Sequence, residues 1–229
     1  MDGNGRWARR KGLPRLEGHR RGYKTLKDTV ISAAEIGVKA LTAYTFSSEN
    51  WKRPEAEVAG LMRLIKFAAR AELREMKGRG VRIVLSGRVH ELPEPVRKQL
   101  LEDVEATKDN SHITLNIAIN YGGRNEIIDA ARKAAKLVAA GEIDANEIDE
   151  TLLSSLMYHP EIPDPDLLIR TAGEMRTSNF LVWETAYTEL YVTQTLWPDF
   201  SRDELVAAIA DFQSRTRRFG AVVEEGKSS

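Results

Sequence analysis

Three clusters in this 229-residue sequence bring together the side chains and backbone that phosphate groups require. The segment Met1-Asp2-Gly3-Asn4-Gly5-Arg6-Trp7 sets a carboxylate beside two glycines and an arginine. Glycine frees the backbone to aim successive N–H groups at one oxyanion, the guanidinium adds a charged fork, and Asp2 can hold a cation beside them. The second cluster, Arg15-Leu16-Glu17-Gly18-His19-Arg20-Arg21-Gly22, falls at the entrance of a long helix. Free N–H groups and the helix dipole favour phosphate there, and Arg15 and His19 can complete the site. The third, Arg170 to Ser178, offers Arg170, Arg176 and Ser178 after an apolar run, which suits a second anionic group.

Two further features belong with these. The loop Ser47-Ser48-Glu49-Asn50-Trp51-Lys52-Arg53 mixes hydroxyls, an amide, an aromatic ring and a guanidinium, as a loop that covers substrate would. Glu189 lies in the aromatic and apolar stretch Ala186 to Tyr191, where an unpaired charge is costly. It needs an arginine or a metal ion, and Asp2 is the reason to consider the metal.

Composition narrows the chemistry. The 34 Lys and Arg balance the 34 Asp and Glu, so nothing global argues for nucleic acid, and an anion site must come from local clustering. With no cysteine, thiolate metal sites, disulfides and a cysteine nucleophile are excluded, which is compatible with a reducing cytosol. No apolar run approaches the roughly 18 residues of a bilayer span, so a water-soluble protein is predicted.

The elements that must position these clusters follow from periodicity. Tyr23, Leu26, Val30, Ala33 and Ala34 recur at helical spacing until Gly37, and a strand is predicted over Val38 to Phe46. Val58, Leu61, Met62, Ile65, Ala69, Leu73 and Met76 form the next helical stripe, followed by a strand over Val81 to Leu85. The alternation continues with a helix after Pro93 and Pro95, a strand over Ile113 to Ile119, and a helix carrying Ile127, Ile128, Ala131, Ala135 and Val138. A short helix over Leu152 to Leu156, strands over Asp166 to Thr171 and Glu189 to Thr193, and a closing helix with Leu205, Ile209 and Phe212 complete the series. Such alternation predicts one α/β domain over residues 1–229, a mostly parallel central sheet flanked by helices, with 224–229 a disordered tail. Ligands in these folds bind beyond the carboxyl ends of the strands, where the polar clusters fall.

Met-Asp-Gly-Asn-Gly-Arg-Trp-Ala at 1–8, Gly18-His19, Phe-Ser-Ser-Glu-Asn-Trp at 46–51, Asn-Tyr-Gly-Gly-Arg at 120–124, the blocks from Arg170 to Glu189, Leu-Trp-Pro-Asp-Phe at 196–200 and the stretch Arg215 to Gly220 occur in one order. Together they resemble the cis-prenyltransferases, of which undecaprenyl diphosphate synthase is the type. The resemblance implies sequential cis condensation of isopentenyl diphosphate onto an allylic diphosphate such as farnesyl diphosphate. It implies Mg2+ handled by Asp2 and Glu189, and Gly3, Asn4, Gly5, Arg6, Trp7, Arg15 and His19 around the allylic diphosphate. Arg170, Arg176 and Ser178 would hold isopentenyl diphosphate, while Ser47, Glu49, Asn50, Trp51 and Arg53 form a loop that closes over substrate. Asp2, His19, Ser47 and Asn50 are the catalytic candidates; Asp2, His19 and Ser47 compete as proton acceptor. Arg218 and Gly220 would reach across a homodimer.

The resemblance further implies a cytoplasmic enzyme, peripheral at the inner face of the membrane that receives its product. A growing chain needs an apolar tunnel, expected along Leu61, Ile65, Ala68, Ala69 and Leu73 with Ile113. In the family a hydrophobic strand leads into the Asp-Gly-Asn-Gly motif, and this sequence starts where that strand ends. The alternatives are a short- or medium-chain synthase, or a non-catalytic subunit, which would lack the Asp, Arg and His residues retained here.

Overall fold

In the computed structural model, which describes residues 1–215, the chain enters its first helix, α1 (Asn4–Arg10), through Gly3. Its φ of 103° is a left-handed conformation that costs glycine little and other residues much. Helix α2 (Arg15–Ile36) starts behind Pro14 and is closed by Gly37. Helix α1 lies against the face of α2 marked by Gly18 and Gly22, one turn apart. A Cβ on Gly18 would stand 2.1 Å from the Asn4 carbonyl oxygen, so the phosphate-binding segment is seated by backbone contact.

Strand β1 (Ala40–Ser47) leads through a 3-10 turn (Ser48–Lys52) into α3 (Glu55–Gly78), followed by β2 (Val81–Ser86), α4 (Glu94–Thr107) and β3 (Ile113–Tyr121). The three strands pair in parallel in the order β1-β3-β2, with Ala40 opposite Thr114 and Val81 opposite Ile113. Helices α5 (Gly123–Ala139) and α6 (Glu150–Ser155) precede β4 (Leu167–Arg170), which pairs in parallel with β5 (Glu189–Val192). Helix α7 (Arg202–Ser214) is the last element described. Among the described residues all pairing is parallel, as the alternation predicts, but it is divided between a three-stranded and a two-stranded sheet.

The core lies on both sides of the larger sheet. Leu26, Val30 and Ala33 of α2 pack with Ala43, Ile83, Ile113 and Leu115, and Trp197 and Phe200 close this cluster. Val58, Leu61, Met62 and Ile65 of α3 pack with Phe46, Ile119 and Leu100. Each large side chain buried this way contributes about 1.5–3 kcal/mol. Among the described residues, no helix is long and apolar enough to cross a membrane.

One predicted face is corrected. The α5 stripe of Ile128, Ala131 and Ala135 points to solvent, and the buried face is Gly123, Glu126, Ala130 and Ala134. The reason is Glu126, a carboxyl group taken into the core by hydrogen bonds from the Tyr121 hydroxyl and the Tyr158 N–H.

Candidate active site

A cavity of about 910 Å3 runs along the length of β1 and β4, and the polar residues of interest gather at the carboxyl ends of these strands. Asp2, Gly3, Asn4, Arg15, His19, Ser47, Asn50, Arg53, Arg170, Arg176 and Ser178 all line it. Residues from three separate clusters of the sequence therefore share one space. Gly5, Arg6, Trp7, Glu49 and Trp51 are not part of this lining, and Trp7 faces the outer groove between α2 and α3.

Arg170, the last residue of β4, joins two of the clusters. One terminal nitrogen donates to Asp2 Oδ2 at 3.1 Å, and the other donates to Ser178 Oγ at 3.0 Å and to the Arg176 carbonyl. The Asp2 backbone is fixed independently. Its N–H donates to Thr171 Oγ1 at 2.9 Å, and its carbonyl accepts from Thr171 Oγ1 at 2.9 Å and from the Trp197 N–H at 2.9 Å. Burial pushes the Asp2 carboxyl up, but Arg170 and the Gly3 N–H outweigh it and hold the group below the ordinary aspartate range. Asp2 is a carboxylate at every physiological pH, half-exposed to the cavity.

Beyond Asp2, two buried polar atoms of the cavity lack a partner among the described residues, Asn4 Oδ1 and His19 Nε2. Buried polar atoms are nearly always satisfied, so a water or ligand group is expected at each. Burial, then the nearby Arg53, pushes His19 down to about 4, against the opposing charge of Glu57. The imidazole is therefore neutral near pH 7 and offers a hydrogen bond without a charge. Glu57 accepts from Arg53 at 3.1 Å and faces Arg15 at 3.3 Å, holding two cations beside His19.

The Ser47–Arg53 loop is built by its own side chains. Asn50 Oδ1 accepts from the Ser47 N–H at 3.1 Å, completing a capping box, and Trp51 Nε1 donates to Asn120 Oδ1 at 2.7 Å. Glu49 accepts from Asn179 at 2.8 Å, which ties the loop to the arginine segment. In that segment Ala172, Ser178 and Asn179 take φ of 70°, 50° and 64°, a strained backbone of the kind that collects at binding sites. Glu174 accepts from Arg6 at 3.0 Å and from Arg176 at 2.5 Å, bridging the first cluster to the third. Trp7 Nε1 donates to Asp199 at 2.7 Å and fastens α1 to the Trp197–Asp199 turn. Sequence reasoning missed Glu57, Thr171 and Glu174, and the only available signal was their place inside or beside the basic clusters.

Within the chain, Asp2 and Glu189, the two residues expected to share Mg2+, are set apart. Glu189 opens β5 opposite Leu167, whereas Asp2 meets Arg170 three residues farther along, about 10 Å at about 3.3 Å per residue. Glu189 instead accepts from Arg215 at 2.8 Å, so its charge is met by an arginine. Mg2+ is commonly held by one or two carboxylates together with substrate phosphates and water, and Asp2 alone, on a cavity lined with arginines, fits that donor set. The tunnel wall is likewise revised. Leu61 and Ile65 line the cavity with Leu26 and Phe46, while Ala68 faces an outer groove and Ile113 is sealed in the core. Arg218, Gly220 and the tail 224–229 lie outside the described residues.

Glu184 lines the cavity and Glu126 lies behind it within hydrogen-bonding reach, and Glu184 Oε2 is buried with no partner among the described residues. Two neighbouring buried carboxyl groups resist carrying a charge each, so one of them keeps its proton. Burial, then the charge of Glu126, pushes Glu184 up to about 8. The folded pair thus holds a proton that unfolded glutamates release, and stability falls as pH rises from the ordinary glutamate range to about 8. Glu184→Gln supplies an amide N–H donor that does not titrate. Its melting temperature is expected to vary less than wild type between pH 5.5 and 8.5, and to exceed wild type at pH 8.5. Equal pH slopes in a thermal melt would remove the retained proton from the account.

Comparison with known proteins agrees with this geometry. Residues 1–220 match the family described as "Putative undecaprenyl diphosphate synthase". The chain is 48% identical to an isoprenyl transferase of Heliobacterium mobile, over 97% of this chain and 85% of that protein. It is also 48% identical to a trans,polycis-polyprenyl diphosphate synthase ((2Z,6E)-farnesyl diphosphate specific) of Thermobifida fusca, over 96% of this chain and 78% of that one. Among solved structures it is similar to lavandulyl diphosphate synthase from Lavandula x intermedia in complex with dimethylallyl diphosphate, with a TM-score of 0.93 and 33% identity, covering 96% and 95% of the two chains. A probable undecaprenyl diphosphate synthase from Campylobacter jejuni gives a TM-score of 0.78 at 32% identity, covering 87% and 92%.

Proposed function

Because this chain belongs to the undecaprenyl diphosphate synthase family of prenyltransferases, we propose that its cavity condenses isopentenyl diphosphate onto farnesyl diphosphate by repeated cis addition, giving undecaprenyl diphosphate. The observation that carries this reading is Arg170, which contacts Asp2 of the first cluster and Ser178 and Arg176 of the third, on a cavity that continues between apolar walls. Two diphosphates and a hydrocarbon chain need that combination.

Asn4, Arg15 and His19 receive the allylic diphosphate beside the α1–α2 junction. Arg170, Arg176 and Ser178 receive isopentenyl diphosphate. Asp2, between them, would hold Mg2+, which when bound supplies charge to offset that of the diphosphates. The allylic C–O bond breaks with its electron pair passing to the leaving diphosphate, whose growing charge the arginines stabilise more than the ground state. The alkene electrons of isopentenyl diphosphate form the new C–C bond, and a proton leaves C2. Of the acceptors Asp2, His19 and Ser47, Asp2 is engaged by Arg170 and Gly3, whereas His19 Nε2 is unengaged.

Incubation with farnesyl diphosphate, labelled isopentenyl diphosphate and Mg2+ is expected to give chain growth and one diphosphate released per unit added, abolished by chelation of the metal. Diphosphate release without growth would contradict the reading. Each added five-carbon unit buries about 4 kcal/mol of hydrocarbon at about 0.8 kcal/mol per methylene, so long products leave slowly. Detergent is therefore expected to raise steady-state turnover several-fold while leaving a single-turnover burst unchanged; equal steady-state rates would rule out release as the slow step. A short-chain synthase is the second reading, drawn from the 0.93 TM-score with lavandulyl diphosphate synthase, and the same incubation separates the two by product size. The reading includes a homodimer, to be seen as sedimentation at twice the 25.7 kDa chain mass, and a cytoplasmic location.

A further inference from the structure

The balanced charge of the chain hides an uneven distribution. Residues 1–80 carry twice as many Lys and Arg as Asp and Glu, and the remainder carries the compensating acidic excess. This basic stretch contains α1, α2 and α3, with α2 packed against both of the others. On α3, Arg63, Lys66, Arg70 and Arg74 recur at three- and four-residue spacing along one face, and none has a carboxylate within ion-pair distance among the described residues. Phe67 stands in the middle of that face with 68% of its surface exposed. A groove of about 480 Å3 runs beside it, lined by Leu13, Leu64, Phe67 and Ala68 with Arg21 and Lys24 of α2, unpaired among the described residues, while its two carboxylates, Glu17 and Glu72, are engaged by Arg20 and Lys27. An exposed phenylalanine flanked by unpaired cations is the composition of a surface that sits at a lipid headgroup boundary.

Helix α3 also separates this face from the cavity. Leu61 and Ile65 face the interior and Leu64 and Phe67 the groove, so the hydrocarbon space and the basic face are one helix apart. We infer that the α1–α3 face docks on the surface of an anionic lipid bilayer, with Phe67 entering the headgroup layer and the α2 and α3 cations pairing with lipid phosphates. This rests on the proposed lipid product only for its purpose; the surface itself can be measured without substrate.

The test is co-sedimentation of the full chain with phosphatidylcholine vesicles, with and without about 30 mol% of the anionic lipid phosphatidylglycerol. Binding to the anionic vesicles is expected to exceed that to neutral ones by about ten-fold, and to fall by about ten-fold as salt is raised well beyond physiological strength. Phe67→Ser is expected to weaken it by about five-fold, and Lys66→Glu with Arg70→Glu by more than ten-fold. Neither variant touches the cavity, so condensation in detergent should be unchanged, which separates this inference from the enzymatic one. Equal binding to neutral and anionic vesicles, wild-type binding by either variant, or retention on duplex DNA without binding to vesicles would overturn it.

Discussion

Asp2→Ala is expected to lower kcat/KM for condensation by about 10³-fold, the scale associated with removing a preorganised charge-stabilising group. Asp2 is the one carboxylate that Arg170 and the Gly3 N–H hold ionised on the cavity, and its backbone is anchored to Thr171 and Trp197 whatever its side chain. The loss should therefore be chemical. With the Asp2 side chain 41% exposed, solvent screens the pair and its contribution to stability is about 1 kcal/mol, so the melting temperature should move little. Asp2→Asn keeps the acceptor for Gly3 but not the charge, and should be nearly as inactive. If both variants retain more than about a tenth of wild-type activity at saturating Mg2+, Asp2 does not hold the metal.

Arg170→Lys is the second large effect. A lysine keeps the charge but cannot reach Asp2, Ser178 and the Arg176 carbonyl at once, because an ammonium lacks the planar fork. A loss of about 10²-fold is expected, expressed mainly as a higher KM for isopentenyl diphosphate, with the KM for the allylic primer nearly unchanged. Equal rises in both would show that Arg170 does not distinguish two sites. Removing the guanidinium in Arg170→Met should also let the Asp2 carboxyl rise toward the range that burial alone dictates, moving the acid limb of the pH–rate profile upward.

Much of this was legible in the residues, for identifiable reasons. Helices α2 and α3 announce themselves because their apolar residues recur on one stripe and glycine or proline marks their ends. Helix α1 does not, because Gly3 and Gly5 argue against a helix and its packing depends on two glycines of the next helix, Gly18 and Gly22. The face of α5 was misread because hydrophobicity cannot foresee a buried Glu126 satisfied by Tyr121 and Tyr158. The site residues that line the cavity were found because each cluster follows a strand or starts a helix. Their supports were not: Glu174, Glu57 and Thr171 act only through partners far along the chain, and the ion pair of Glu189 with Arg215 spans 26 residues.

The bond geometry of the product tests the central claim most directly. Purified protein, farnesyl diphosphate, isopentenyl diphosphate and Mg2+ should yield a polyprenyl diphosphate of undecaprenyl length in which every newly formed double bond is Z by nuclear magnetic resonance, while the farnesyl bonds stay E. Newly formed E double bonds, or hydrolysis of either diphosphate with no new carbon–carbon bond, would contradict it.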